Sequence, residues 1–324
     1  MKVSRRQFSR SVAAVLTASL VPLAAQAQKF PDKPIRIINT FSAGGPSDAA
    51  ARAVAQLMAD ILGQSVVVEN KPGGASMIAA SYVASQPADG YTLLLSNNQV
   101  TSNPLLYKRV PYKNTDFAPV GLIMKSVNAM IVPASLPVKN VREFVEYARA
   151  SKDKINYAIF GPGGTPHVNG KMLEKSGGIS MVEVSYKGGT EATQDVMAGR
   201  VQALFVTSSG GISSQATGKV RILGITGAER LEGAPDLPTF KEQGYDVVSY
   251  SWFGLMAPAG TPRDRIDILN RAIVRAVNSA EYQQKMKAGG TIPSSGSPED
   301  MASFLKADYA AWEAILKPMN LQLD

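Results

Sequence analysis

The sequence predicts two α/β domains joined by crossing strands that act as a hinge. Short aliphatic strands alternate with helical segments, and continuous apolar strands of this kind are typical of parallel sheets covered on both faces. The alternation runs once up to about residue 124 and starts again after it, and the end of the chain is helical. The predicted division assigns residues 28–125 and 250–324 to domain 1 and residues 126–249 to domain 2. Hinged domains of this kind close over ligands.

The first domain opens with a strand, a glycine-rich turn and a helix. Ile35 begins the strand, residues 41–46 turn the chain, and Ala50, Val54, Leu57 and Ile61 then recur at helical spacing. Further strands are predicted at residues 64–70 and 91–96, with a helix between them that ends near Ser85. The third strand ends in the polar pair Asn97 and Asn98, which we place at the carboxyl edge of the sheet.

The second domain repeats the strand-and-helix pattern. Its strands are predicted at residues 129–132, 156–160, 181–184, 201–206 and 220–225. Asn140 and Glu143 resemble a capping box at the start of a helix that runs to about Lys152. Farther on, Thr165 is the predicted N-cap of a helix whose first residue is Pro166.

Two amphipathic helices form the predicted tail. Thr261 and Asp264 are expected to cap the first of them, and Ser297 and Asp300 the second. Their apolar faces carry Ile266, Leu269, Ile273 and Val277, then Met301, Leu305, Tyr309, Trp312 and Leu316. We expect this tail to return to the first domain, which places the two crossings near residues 124–128 and 247–255.

Residues 1–27 are predicted to be an export signal. Residues 4–8, SRRQF, resemble a twin-arginine motif, an apolar run follows from Val12 to Ala24, and residues 25–27 offer small side chains for cleavage. A general secretory signal with a chance arginine pair is the alternative, and both routes lead out of the cytoplasm. The apolar run is too short for a stable membrane span.

Composition excludes several classes of function. The chain holds 34 Lys and Arg residues against 26 acidic ones, and the signal contains four of the basic residues, so the mature net charge is +4. This small excess, without a basic run, argues against a nucleic-acid partner. The chain has no cysteine and a single histidine, His167, which excludes disulfides, thiolate chemistry and a multi-histidine metal site. No cofactor and no metal are expected.

Glycine-rich turns at residues 43–47, 161–166 and 187–190 form the candidate ligand site. Each lies between the end of a strand and the start of a helix, where ligands bind in open α/β sheets. The backbone N–H groups and the helix dipole at such places favour a carboxylate or a phosphate. None of these turns has the residues of a P-loop or a dinucleotide fingerprint.

Two titratable residues accompany these turns. The chain has no Gly-x-Ser-x-Gly elbow that would accompany a catalytic histidine. We therefore favour a role of His167 as a ligand donor or a packed structural residue over a role as a general base. Asp48 either ties down its own loop or meets the ligand through water. The first role is favoured because a carboxylate would repel an anionic ligand. Trp252 and Phe253 are expected in the core.

Five short motifs follow one another along the chain. They are FSAGGPSD at 41–48, LGQSVVVENKPG at 62–73, DGYTLL at 89–94, YKGG at 186–189 and AGRVQALF at 198–205. Together they resemble the Bug-type solute receptors of tripartite tricarboxylate transporters. The resemblance covers essentially the whole mature chain and implies a two-lobed periplasmic binding protein, or Venus flytrap. Each lobe would be a parallel-rich sheet flanked by helices, with the crossing strands as hinge.

The resemblance also implies a function and a site. A non-enzymatic receptor in the periplasm would hold a small organic carboxylate between its lobes and deliver it to membrane permease subunits. A monomer is the default for a receptor that must open and dock. The loop at 41–48 would grip the carboxylate through backbone amides and bridging waters. The implied ligand-binding residues are Phe41, Ser42, Ala43, Gly44, Gly45, Asp48, Ser96, Asn97, Gly161, Gly163, Gly164, Thr165, His167, Gly188, Gly189, Thr207 and Ser208.

Some positions depart from the family pattern. Thr40 stands where proline is common, Ala75 and Ser76 where glycine is common, and Gly164 where serine or threonine is common. These departures bear on ligand choice and not on the fold. Dicarboxylates, amino acids and aromatic acids stay open as ligands, with a slight preference for one anchored carboxylate on a less polar remainder. The alternatives in other functional classes are an exported esterase using a serine with His167, and a receptor that signals to a sensor protein.

Overall fold

The structure is a computed structural model that describes residues 30–44, 46–152, 154–186, 189–288, 290–319 and 323. The chain divides into two compact units, residues 1–32 and residues 33–324. Of the first unit only residues 30–32 are described, so the predicted export signal at 1–27 lies outside the described residues. The strands and helices described here all belong to the second unit.

The strands form two sheets. The first contains β1 (Ile35–Asn39), β2 (Val66–Asn70), β3 (Thr92–Asn97), β4 (Phe117–Ser126), β10 (Ser251–Pro258) and β11 (Ile292–Pro293), in the order β11-β4-β10-β3-β1-β2. The second contains β5 (Asn128–Pro133), β6 (Ile155–Ile159), β7 (Met181–Ser185), β8 (Ala203–Thr207) and β9 (Val220–Ile225), in the order β7-β6-β8-β5-β9. The two-lobed α/β architecture expected from the sequence is confirmed.

Both sheets are mixed. The strands that belong to βα units pair in parallel, namely β1 with β2 and β3, and β6 with β7 and β8. Strand β10 runs antiparallel to β3 and β4, and β5 runs antiparallel to β8 and β9. The antiparallel strands are those that the chain uses to change lobes, and a strand arriving from the other lobe need not follow a right-handed βαβ crossover.

The described helices lie on these sheets. They are α1 (Pro46–Leu62), α2 (Met77–Ala84), α3 (Asn98–Leu106), α4 (Val141–Ala150), α5 (Thr165–Gly177), α6 (Gly189–Met197), α7 (Ser208–Gln215), α8 (Arg263–Val277), α9 (Ala280–Ala288) and α10 (Pro298–Leu316). Short 3₁₀ turns occur at Gly74–Ser76, Asn114–Asp116 and Lys317–Met319. None of the helices in the described part of the chain has the length and apolarity needed to cross a membrane.

Two of the predicted caps are confirmed. The Asn140 side chain accepts from the backbone N–H of Glu143 at 2.8 Å, and Ser297 and Asp300 form a complete capping box. The other two predictions are wrong. Gly164, not Thr165, is the N-cap of α5, because the turn closes one residue earlier through a bond from Gly164 N–H to the carbonyl of Gly161. The Thr261 hydroxyl donates to the carbonyl of Pro258 and does not cap α8.

Three helices were not predicted, namely α3, α7 and α9. Their sequences lack an apolar stripe at helical spacing. Helix α3 contains Pro104 in its interior, and α7 is rich in serine and glycine. Their ends are therefore set by tertiary contacts and caps rather than by amphipathic patterning. Two of these helices begin at the carboxyl ends of β3 and β8, which makes them part of the candidate site.

The two lobes have separate cores. Ile38, Leu94, Trp252 and Met256 belong to the first, and Phe144, Tyr157, Phe205 and Phe240 to the second. Trp252 and Phe253 are buried, as expected. Another apolar cluster joins α3 and α10 of the first lobe to α5 of the second through Leu106, Trp312, Leu316 and Val168. This cluster packs the C-terminal helix against helices of both lobes.

Candidate functional site

The first glycine-rich turn connects β1 to α1 and is held from both sides. At its start, the Asn39 side chain accepts from the backbone N–H of Phe41 at 3.2 Å. At its end, Asp48 Oδ2 accepts from the N–H of Gly44 at 3.0 Å. Ser42, Ala43 and Gly44 are exposed to solvent, and Gly44 has a φ of 86°, which favours glycine. Gly45 lies outside the described residues.

The Asp48 carboxylate is turned away from solvent and neutralised locally. Arg52 Nε donates to Oδ2 at 3.0 Å, and Asn70 Nδ2 donates to Oδ1 at 2.9 Å and to the carbonyl of Phe41 at 3.0 Å. The hydrogen bond from Arg52 is the main reason that the pKa of Asp48 falls to about 2. Asp48 thus makes the contacts of the loop-tying role, whereas contact with a ligand stays a prediction.

We expect the free energy of unfolding of the variant Asp48→Asn to be about 2 kcal/mol lower than that of wild type at neutral pH, since the side chain is buried and its pKa is depressed. A carboxylate with a depressed folded pKa contributes stability above its unfolded pKa and loses it as the pH falls toward the folded value. Urea unfolding at about pH 7 and about pH 3 measures this contribution. An equal difference between wild type and variant at both pH values would contradict the assigned ionisation.

Asn97 joins the first turn to two other segments. Its Nδ2 donates to the Thr40 hydroxyl at 2.8 Å and to the Ser76 hydroxyl at 3.2 Å, and its Oδ1 caps α3 by accepting from Gln99 N–H at 2.8 Å. The Ser76 hydroxyl in turn donates a hydrogen bond to Gln99 Oε1 at 3.2 Å. Thr40 and Ser76 are two of the departures from the family pattern, and here they supply oxygen acceptors for Asn97.

The segment before α2 has an unusual backbone. Ala75 and Ser76 have φ values of 49° and 71°, in the left-handed region that L-residues rarely adopt. Asn103 Nδ2 holds this conformation by donating to the carbonyl of Ala75 at 2.8 Å. Strained backbone of this kind persists where its surroundings over-determine it, and it clusters at functional sites.

Ser96 lies at the carboxyl end of β3, beside the end of β1. Its hydroxyl and the Nδ2 of Asn39 are fully buried and have no hydrogen-bond partner among the described residues. Asn39 pairs in register with Asn70 on β2 and with Leu95 on β3. The carboxyl edge of three adjacent strands therefore carries uncharged polar side chains directly below the exposed turn.

The second-lobe turn connects β6 to α5 and is organised around His167. Gly161 and Gly163 have φ values of 91° and 72°. The N–H of Gly163 donates to His167 Nδ1 at 2.7 Å, so the ring carries its proton on Nε2, which donates to Glu183 Oε1 at 3.2 Å. Lys171 Nζ lies 2.7 Å from the same oxygen. Burial lowers the pKa of His167, so the imidazole is neutral.

His167 is thus a packed residue that shapes its own loop. Only 1% of it is exposed, and both ring nitrogens are occupied by Gly163 and Glu183. In the described structure neither nitrogen meets a serine hydroxyl. These contacts match the structural interpretation of His167 and give a general base no free nitrogen. Thr165 begins α5 beside this loop.

The remaining predicted residues lie at the ends of β7 and β8. Gly189 begins α6, whereas Lys187 and Gly188 lie outside the described residues. The Thr207 hydroxyl caps α7 by accepting from Gly210 N–H at 3.3 Å. Ser208 is fully buried, and its hydroxyl donates to the carbonyl of Gly290 at 2.6 Å. Since Gly290 precedes β11, this bond connects the two lobes.

The structure brings the predicted residues together as two groups, one in each lobe. Residues 41–44, 46–48 and 96–97 meet at the ends of β1 and β3, and residues 161–167 and 207–208 follow the neighbouring strands β6 and β8. The sequence did not single out Asn39, Asn70, Gln99 or Glu183. Asn39 and Asn70 could have been found, because each ends a strand that precedes a predicted helix. The partners Gln99 and Glu183 carry no such signal.

The described residues contain no group of three His, Asp or Glu side chains that could hold a metal ion. The site is built from backbone amides, hydroxyls and carboxamides, and the carboxylates of Asp48 and Glu183 are paired with Arg52 and Lys171. Such a surface can bind an anionic head group by hydrogen bonds and the dipole of α1.

The chain matches the family model described as "Tripartite tricarboxylate transporter family receptor" over residues 50–321. The UPF0065 protein in the tcbD-tcbE intergenic region of Pseudomonas sp. strain P51 is 30% identical over 98% of this chain and 96% of that protein. Among solved structures, R. palustris Rpa4515 with adipate is 32% identical with a TM-score of 0.82, covering 89% of this chain and 97% of that one. The periplasmic binding protein BugD is 31% identical with a TM-score of 0.80, covering 91% and 100%.

Proposed function

Because the chain belongs to the receptor family of tripartite tricarboxylate transporters, we propose that it captures a small organic carboxylate between its lobes. It is a Bug-type solute-binding receptor, and its relatives are periplasmic binding proteins. The captured ligand is then passed to membrane permease subunits. The ligand-binding groups are the first-lobe residues at 41–48 and 96–97 and the second-lobe residues at 161–167, 188–189 and 207–208.

The exposed turn at residues 42–44 is the observation that carries this proposal. It lies at the N-terminus of the 17-residue helix α1, where the helix dipole favours an anion. The nearby Asp48 is held by Arg52 and Asn70, so its charge is compensated within the loop. A carboxylate can approach this turn without meeting an unpaired acidic group.

Several further features belong to the same proposal. The export signal is residues 1–27, read as a twin-arginine-like or general secretory signal. The lobes are residues 28–125 with 250–324 and residues 126–249, in line with the strands that each sheet contains. The receptor acts as a monomer, because it must open, close and dock.

The receptor is proposed to be non-enzymatic. An esterase would need a serine activated by His167, and the two ring nitrogens are already bonded to Gly163 and Glu183. Hydrolysis assays with a chromogenic ester series, using wild type and His167→Ala, test this alternative. Turnover that His167→Ala abolishes would replace the receptor proposal with an enzyme.

We expect a carboxylate of the correct class to raise the thermal unfolding midpoint of the purified receptor. A ligand at about one hundred times its dissociation constant stabilises the folded state by roughly 2.7 kcal/mol. The panel contains adipate, because the relative Rpa4515 was solved with it, together with other dicarboxylates, amino acids and aromatic acids. Differential scanning fluorimetry of protein first unfolded and refolded without ligand measures the shift.

The control panel contains the corresponding neutral amides. A hydrogen-bonding site for an anionic head should lose the midpoint shift when the carboxylate becomes an amide, because the helix dipole then acts on no net charge. Equal shifts with acids and amides would contradict carboxylate recognition. A flat response to the whole acid panel would overturn the proposed function.

A further inference from the structure

Both tryptophans of the chain donate to the same partly buried carboxylate, that of Asp308. Trp252, on the second crossing strand β10, donates its indole N–H to Asp308 Oδ2 at 2.9 Å. Trp312, one turn farther along α10, donates to Asp308 Oδ1 at 3.3 Å. The sequence holds only these two tryptophans. The indole environment of the whole chain therefore reports on the state of Asp308.

The carboxylate also reaches the candidate site through Asn98. The Nδ2 of Asn98 lies 3.3 Å from Asp308 Oδ1 and 3.5 Å from Oδ2, and it donates to the carbonyl of Tyr250 at 3.2 Å. Its Oδ1 accepts from the backbone N–H of Trp252 at 3.2 Å. Asn98 is the first residue of α3 and follows Asn97, which holds the ligand turn. Asp308 thus connects α10, the hinge strand and the start of α3.

One charged residue faces this cluster from the other crossing strand. Lys125, near the end of β4, places its Nζ 4.3 Å from the centre of the Phe304 ring on α10. Burial lowers the pKa of Lys125, and the charge of Asp308 opposes that change. Burial raises the pKa of Asp308 to about 6, against the effect of its donors and of Lys125. The groups on α3 and β10 that touch Asp308 are uncharged amide and indole groups.

We propose that Asp308 is a positioning residue for ligand capture, whose ionised carboxylate holds Asn98 and the second crossing strand in the arrangement that binds carboxylate. This inference rests on the proposed function. Asp308 makes no contact with the ligand turn itself and acts through Asn98 and its neighbour Asn97. The ionised form has acceptor positions for all three N–H donors, whereas the protonated form replaces one acceptor position with an O–H group.

Protonation should therefore affect binding and stability in opposite directions. Asn98 and Trp312 both contact Oδ1 at 3.3 Å, farther than the 2.9 Å of Trp252, and only the Asn98 amide has a second acceptor, the carbonyl of Tyr250. We therefore expect the contact with Asn98 to be lost first, and ligand affinity to fall as the pH falls through the pKa of Asp308. For stability, the folded pKa lies above the usual value of 3.8. The contribution of Asp308 to stability is present below that usual value and is lost as the pH rises through about 6. A purely structural residue would move affinity and stability together.

The first test is a tryptophan fluorescence titration of ligand-free receptor between about pH 5 and pH 7.5. We expect an emission change with a midpoint near the pKa of Asp308 in wild type, absent in Asp308→Asn. Glu313→Gln is the matched control, because Glu313 lies next to Trp312 on the same helix but is partly exposed and pairs with Lys317. His167 also titrates in the acid range, so the difference between wild type and Asp308→Asn is the decisive quantity.

The second test measures affinity by calorimetry, with adipate as the first probe and otherwise the acid that gives the largest midpoint shift. We expect wild type to bind about tenfold more weakly at about pH 5 than at about pH 7.5, as loss of a hydrogen bond to a charged group predicts. Asp308→Asn should bind weakly at both pH values. Asn98→Ala should weaken binding too, and the double variant should be no weaker than either single variant, since both break one connection.

Two results would overturn the proposal. One is a fluorescence titration that is unchanged in Asp308→Asn or flat in wild type. The other is an affinity in Asp308→Asn that keeps the wild-type pH dependence. If no acid binds at any pH, the proposed function fails and the positioning role fails with it; if acids bind but Asp308→Asn keeps the wild-type pH dependence, only the positioning role fails. Circular dichroism of each variant shows whether it is folded, and Asn98→Ala replaces Asp308→Asn if the latter is not.

Discussion

Replacing Gly170 by alanine should lower the free energy of unfolding by about 2 kcal/mol, although alanine is the better helix former by about 1 kcal/mol. A Cβ at Gly170 would lie 2.2 Å from Cε2 and 2.7 Å from Cζ of Tyr157. The Tyr157 ring is fully buried between α5 and the core of the second lobe. The ring has no room to move, so the overpacking cost exceeds the helix gain. Urea unfolding of both proteins measures the difference.

The variant Tyr157→Leu provides the control for Gly170→Ala. Removing the ring leaves a cavity and costs stability by itself. If the clash explains the effect, Gly170→Ala should not lower the free energy of unfolding further in the Tyr157→Leu background. It should instead raise it slightly, because alanine is the better helix former. The same loss in both backgrounds would show that Gly170 is needed for a reason other than the Tyr157 ring.

Replacing Gly163 by alanine should destabilise the receptor by about 3 kcal/mol and weaken carboxylate binding. Gly163 has a φ of 72°, which L-alanine adopts only with strain. In addition, a Cβ there would lie 2.0 Å from Cδ1 of Leu106, on α3 of the first lobe. The N–H of Gly163 holds His167, so a displaced loop also loses its shape. Thermal unfolding with and without the carboxylate measures both effects.

Gly161 offers the matched control in the same loop. Its φ is 91°, and a Cβ there would meet nothing within 4 Å. Gly161→Ala should therefore show the backbone strain alone, about 1–2 kcal/mol. Leu106→Ala should restore part of the stability lost in Gly163→Ala by making room between the lobes. If Gly161→Ala and Gly163→Ala lower the stability equally, the clash of a Cβ at position 163 with Leu106 contributes nothing to the loss.

The accuracy of the predicted elements follows the strength of their patterns. Helix α8 was predicted with the correct apolar face, and Ile266, Leu269, Ile273 and Val277 are buried. Helices α3 and α7 were not predicted, because NQVTSNPLL and SSGGISSQ have no apolar stripe. Their N-caps, Asn97 and Thr207, are residues that also favour turns. Only the neighbouring strands decide which role such residues take.

In the candidate site too, the local patterns were predicted from the sequence and the distant partners were not. The strand–turn–helix pattern and glycines at residues 41–48 predicted an anion-binding turn, and a local carboxylate at Asp48 was expected to tie it down. The partners that hold Asp48 and the turn, Asn70 and Arg52, came with the fold. The link from Thr40 through Asn97 to Ser76 spans more than fifty residues of sequence. Pairings this distant leave no periodic signal in a single chain.

The sequence by itself predicts the alternation of strands and helices, the two-lobed architecture, the excluded chemistries and the family resemblance. These depend on local patterns, since burial repeats along a helix or strand and caps and glycines act within a few residues. Only the tertiary structure decided that the crossing strands are antiparallel, that His167 is fully occupied, and that Asp308 gathers Trp252, Trp312 and Asn98. Those arrangements depend on which distant segments share a buried surface, and burial in three dimensions is what perturbs a pKa or satisfies a polar group.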